Sequence, residues 1–188
     1  MQRRQLLTIA AYATLSQPSF ADDAAWAALK KPGAIVLFRH ALAPGGGDPP
    51  GFVLNDCSTQ RNLSDEGQLQ AKRLGQALQQ RGIKVQAVWH SEWCRTTDTA
   101  RLAFPELQGH AIKPEPAFNS FFADRSTAST QTAAAKELLL KWRGQGASVV
   151  VTHQVNITQL TDIFAQSGEG IVLLRSGQQL RVAGRIAP

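Results

Sequence analysis

Apolar residues cluster in short unbroken runs: AIVLF from Ala34, VQAVWHS from Val85 and ASVVVTH from Ala147. A continuous apolar run of strand length, bounded by turn residues, predicts a strand buried on both faces. Between these runs the apolar positions take up helical spacing. LSDEGQLQAKRLGQALQQRG predicts a helix with Ser64 as N-cap and Asp65 and Glu66 in its first turn. Leu69, Leu74 and Leu78 give it an apolar side, and Arg81-Gly82 marks its end. WCRTTDTARLAF predicts a short helix, STASTQTAAAKELLLKWRG a longer one and NITQLTDIFAQSG another. HAIKPEPAF holds a short strand interrupted by prolines, and GIVLLRSGQQLRVAGRI predicts a hairpin turning at Ser176-Gly177.

Strands that alternate with helices predict an α/β fold, a three-layer α/β/α sandwich around a mainly parallel sheet. Sites in such sheets lie beyond the carboxyl ends of the strands. Each strong run ends on a polar residue there: Arg39 and His40 after the first, Ser91 after the second, His153 after the third. Polar groups at three strand ends, with Arg95 close behind Ser91, predict one shared pocket.

The first 21 residues change the domain picture. Arg3 and Arg4 precede an apolar stretch from Leu6 to Leu15, and Ser19-Phe20-Ala21 puts small residues where a signal peptidase reads. Residues 1–21 are therefore expected to be an export signal, and 22–188 a single domain. The stretch is too short to cross a bilayer as a stable helix, so no stable membrane insertion is expected after its removal. The arginine pair partly matches a twin-arginine signal, and a buried N-terminal helix is the competing reading. The expected compartment is periplasmic or extracellular.

The formal charge is +6. There is no basic run of the kind that tracks a nucleic-acid backbone, which argues against nucleic acid as a partner and suits a small anionic substrate. Nothing in the sequence sets an oligomeric state. The loop APGGGDPPG has Gly45-Gly46-Gly47 but no following Lys-Ser/Thr, so it is not a nucleotide-binding P-loop. Asp48 and Phe52 lie in this loop as possible substrate contacts. Two cysteines, Cys57 and Cys94, do not form a zinc motif.

A neutral imidazole is a nucleophile, and guanidinium groups bind phosphate oxygens in a forked geometry. Together they suit phosphoryl transfer without a metal. A metal-dependent hydrolase built on His40 and His153 is the rival chemistry, and arginines flanking a divalent cation count against it.

The motifs resemble the histidine phosphatase superfamily, which includes the cofactor-dependent phosphoglycerate mutases. LFRHA resembles its Arg-His-Gly strand end, with Ala41 in place of the glycine. QRNLSDEGQLQA resembles its helix start through Leu63, Ser64, Gly67, Gln70 and Ala71. SEWCRTTDTA resembles its next motif through Ser91, Arg95, Thr99 and Ala100, and VVVTHQ its second histidine strand end. The long loop and the WCR element are similar to exported lipopolysaccharide core heptose(II)-phosphate phosphatases.

The resemblance implies a phosphomonoesterase in which His40 becomes phosphorylated while Arg39, Arg95 and His153 hold the phosphoryl group. It implies no metal, no cofactor and a small phosphorylated substrate, an envelope sugar phosphate among the options. A non-catalytic phosphate-binding or regulatory module on the same fold is the alternative, and a cytoplasmic mutase fits an exported chain poorly. Arg61 and Ser91 are expected to bind substrate, with an exposed loop role as the rival for Arg61. The resemblance also brings Cys57 and Cys94 to one rim of the pocket, where a disulfide is expected. The proton donor is expected to be Asp124, in the loop where the family keeps its acid. Phe118, Phe121 and Phe122 are its expected apolar wall, and Glu92 is the alternative donor.

Overall fold

The computed structural model describes residues 20–187 apart from 108 and 110. Residues 1–19 of the expected export signal lie outside the described residues. Helix α1 (Phe20–Leu29) is followed by β1 (Ile35–Arg39), α2 (Asp65–Gln80), β2 (Val85–His90), α3 (Cys94–Ala103) and β3 (Ile112–Pro114). Then come α4 (Ala128–Lys141), β4 (Ala147–Thr152), α5 (Gln154–Thr161), β5 (Gly170–Ser176) and β6 (Gln179–Ile186).

The six strands form one sheet in the order β3-β2-β4-β1-β5-β6. β3, β2, β4 and β1 are mutually parallel, while β5 and β6 run antiparallel as a hairpin. β1 and β4 are buried along nearly their whole length, so period-two alternation sorts their side chains onto two apolar faces. Val36, Phe38, Val149 and Val151 pack against Trp26 and Leu29 of α1, Leu74 and Leu78 of α2 and Ala100 of α3. Ile35, Leu37 and Val150 pack on the opposite face against Leu139 of α4 and Ile157 of α5. The expected three-layer sandwich is therefore present, with a mixed sheet.

Ser64 caps α2 as expected, its hydroxyl accepting from the Gly67 amide at 3.1 Å. The glycines of α2 permit close packing. A Cβ on Gly67 would lie 2.0 Å from the Leu42 carbonyl oxygen, and one on Gly75 would lie 1.8 Å from that of Ala103. α5 is shorter than expected, because Asp162 turns into the left-handed region at φ 59° and ends it.

Candidate active site

β4 lies between β1 and β2, so the carboxyl ends of these three strands are adjacent. The residues just beyond them, His40, Ser91 and His153, are all buried. A cleft of about 360 Å³ opens there, lined among others by Arg39, His40, Asp48, Arg61, Arg95 and His153. The structure thus brings together four of the residues expected from strand ends and adds the glycine-rich loop as a wall.

The rings of His40 and His153 stand 5.6 Å apart, inclined by 67°. Nδ1 of His40 lies 2.8 Å from the Ala41 carbonyl oxygen, which can only accept. Nδ1 therefore carries the proton, and Nε2 of the neutral ring keeps its lone pair free. Burial, with the nearby Arg95, Arg61 and Arg39 guanidiniums, pushes the pKa of His40 down to about 3. Burial lowers that of His153 as well, reinforced by His40 and the same arginines. Nε2 of His153 meets the Ser91 hydroxyl at 2.8 Å. Ser91 does not line the cleft and reaches it through His153.

The motif threonine and glutamine hold this strand end in place. The Thr99 hydroxyl accepts from the Ala41 amide at 3.0 Å and donates to the Arg95 carbonyl at 2.6 Å. The Gln70 side chain accepts from the Leu42 amide and donates to the Ser167 carbonyl. The glycine at 67 lets α2 approach that same Leu42 backbone.

Three guanidiniums face the cleft. The Nε atoms of Arg39 and Arg95 are buried without a hydrogen-bond partner among the described residues. Buried donors of this kind call for an acceptor, and an oxyanion in the cleft would supply one. Arg61 is spent differently: its Nε donates to the Gly47 carbonyl at 2.8 Å, and its Nη1 donates to that of Ala43. It pins the glycine-rich loop while lining the cleft. The N-terminal residues of α5, Gln154 and Val155, also line it and present a helix N-terminus to the same space.

Neither expected proton donor lies in the cleft lining. Asp124 is exposed and caps a 3-10 turn, accepting from the Ser126 amide at 2.9 Å. Its hydrogen bonds from Ser126 lower its pKa, which favours the carboxylate over the protonated form a donor needs, so the expectation for Asp124 is corrected. Of its expected apolar wall, Phe118 and Phe121 are buried in the protein interior, while Phe122 is exposed and lines the cleft that Asp124 does not reach. Glu92 accepts from the Asn119 amide group at 2.7 Å and lines a separate cavity with His90 and Arg101.

Among the described residues, Asp48 is the carboxylate that does line the cleft, and it is paired to Arg95. Its oxygens also accept from the Arg61 amide at 3.1 Å and the Trp93 indole at 3.0 Å. The sequence offered no signal for this pairing beyond Asp48 lying in a turn-rich loop. Trp93, which also lines the cleft, went unassigned for the same reason. Cys57 and Cys94 form a disulfide, and the Gln60 side chain accepts from the Cys94 amide at 3.0 Å beside it.

The profile of the histidine phosphatase superfamily (branch 1) matches residues 35–147, more than half of the chain. The chain belongs to the histidine phosphatase superfamily. Solved structures agree on the fold. The protein histidine phosphatase SixA complexed with tungstate superposes with a TM-score of 0.59 at 13% identity, covering 82% of this chain and 97% of that one. Bacillus stearothermophilus YhfR gives 0.58 at 14%, covering 80% and 95%. The mycobacterial glucosyl-3-phosphoglycerate phosphatase in complex with VO3 gives 0.56 at 15%, covering 79% and 96%. No curated protein sequence matches the chain. Members of this superfamily are phosphatases or mutases, so a phosphorylated substrate goes with the family. Among the described residues no helix is long and apolar enough to cross a membrane.

Proposed function

We propose that this protein is an exported, metal-independent phosphomonoesterase that works through a phosphohistidine at His40. The observation that carries the reading is the His40 ring: neutral, with Nδ1 donating to Ala41 and Nε2 free, in a cleft lined by three guanidiniums. In this reading Nε2 attacks phosphorus as the P–O ester bond breaks, and the leaving oxygen takes its proton from water. A second water then attacks the phosphohistidine, and the proton it sheds neutralises the hydroxide left by the first. The N–P bond breaks, inorganic phosphate leaves and neutral His40 returns. Arg39 and Arg95 stabilise the charge on the equatorial oxygens, and His153, held by Ser91, donates to the same group. Arg61 contributes positive charge from the loop. Two fold neighbours are complexed with oxyanions, tungstate and VO3, which is in keeping with an oxyanion-binding role.

The substrate we propose is a small phosphomonoester met outside the cytoplasm, with phosphorylated envelope sugars first. The test is a phosphomonoester panel that includes phosphorylated heptose, run with His40→Ala beside the wild type. His40→Ala should fold and show no turnover, while the wild type should yield an acid-labile phosphoenzyme. Substantial turnover by His40→Ala would exclude the mechanism.

A further inference from the structure

We propose that Asp48 is a positioning residue that holds Arg95 edge-on to the phosphoryl group, so that the glycine-rich loop and Arg95 work as one unit. The proposal rests on the reading of the cleft as a phosphoryl site. A guanidinium has five N–H bonds in a fixed plane. In Arg95, Nη1 donates to Asp48 Oδ1 at 2.7 Å and Nη2 donates to Oδ2 at 3.1 Å. Nη1 also donates to the Arg61 carbonyl at 3.3 Å. Three of the five N–H bonds are thereby assigned. The two left over, Nε–H and the outer Nη2–H, lie parallel on one edge, the pair that matches two oxygens of one phosphoryl. Nε is buried and has no partner among the described residues.

Asp48 is itself fixed from every side. Four donors converge on its two oxygens, from Arg95, Arg61 and Trp93, and its side chain is 8% exposed. The loop around it is shaped for this delivery: Gly45 and Gly47 adopt φ of 95° and 76°, where a side chain would be strained. Arg61 locks that loop through the Gly47 carbonyl. The carboxylate also offsets part of the mutual repulsion of Arg39, Arg61 and Arg95, which share the cleft. Without Asp48 the guanidinium could rotate its end rather than its edge toward the substrate.

The test is a double-mutant cycle with Asp48→Asn, Arg95→Ala and both together. Turnover of nitrophenyl phosphate and of an alkyl phosphate is measured, with calorimetric binding of inorganic phosphate. Asp48→Asn alone should lower kcat/KM about 10²-fold, the scale of a lost oxyanion donor, equally for both esters. In the Arg95→Ala background it should cost less than about threefold more, because its effect passes through Arg95. A full, additive loss in that background overturns the proposal. So does a loss confined to the alkyl ester, which would make Asp48 the proton donor instead. Should Asp48→Asn fail to fold, Asp48→Glu replaces it in the cycle, keeping the charge but displacing the carboxylate by one methylene. A wild type that binds phosphate but hydrolyses no ester defeats the enzymatic reading alone, and the cycle is then read in binding. One that does neither overturns both.

Discussion

Removing the Cys57–Cys94 bridge should cost stability far more than activity. The two cysteines are 37 residues apart in sequence. A cross-link closing a loop of that length removes about 4 kcal/mol of chain entropy from the unfolded state. For a domain of this size that corresponds to a fall in melting temperature of roughly 8–15 °C. Activity is a separate matter. The segment joined to α3 by the bridge is also held by the Gln60 side chain on the Cys94 amide and by Asp48 on Arg95. These contacts persist without the bridge, so kcat measured well below the melting point should fall less than about tenfold. The assay compares calorimetric melting of the Cys57→Ser/Cys94→Ser protein with the oxidised wild type. Dithiothreitol should lower only the wild-type value, toward that of the double variant. A double variant that melts within about 2 °C of the wild type would refute the entropic argument.

Two further outcomes follow from packing and titration. Gly75→Ala should destabilise by about 1–3 kcal/mol, because its Cβ would fall 1.8 Å from the Ala103 backbone oxygen and force α2 and α3 apart; unchanged urea unfolding would contradict the packing. Stability should also fall as the pH drops from about 6.5 toward 4.5. His40, His90 and His153 all have folded-state pKa values below the ordinary histidine value, chiefly through burial. The unfolded chain then binds protons that the folded chain refuses, and each group contributes up to about 1.4 kcal/mol per pH unit in that window. The lowered value of Asp48 acts only further down, below its ordinary pKa. Unfolding free energies that stay flat between pH 6.5 and 4.5 would show the histidines to be solvated.

The parts of this protein that could be read from sequence are those whose cause is local. Ile35–Phe38 and Ser148–Val151 are buried on both faces, so their apolar runs are unbroken and the polar residue after each marks a strand end. Ser64 and Gly67 belong to one helix start, three residues apart. The Asp48–Arg95 pair joins residues 47 apart in sequence, and no periodicity encodes such a meeting. The proton-donor expectation failed on signals that were in fact local. Asp124 two residues before Ser126 is the pattern of an N-cap, and the structure uses it as one. Glu92 follows Ser91 beyond the end of β2, and its carboxylate faces Asn119 and the neighbouring cavity.

The placement of β4 between β1 and β2 has a kinetic consequence. β2 meets β3 nearby in sequence, but Ile35 pairs with Ser148 and Val88 with Val149, so β1 and β2 are not joined until a segment more than sixty residues beyond both arrives. Such non-local pairing makes for slow folding, in which loop closure must precede any reward from contacts. The cleft is assembled from the ends of those same three strands, so it does not exist until the centre of the sheet has closed. An oxyanion can therefore reward only the finished sheet: phosphate should slow unfolding and leave the folding rate untouched.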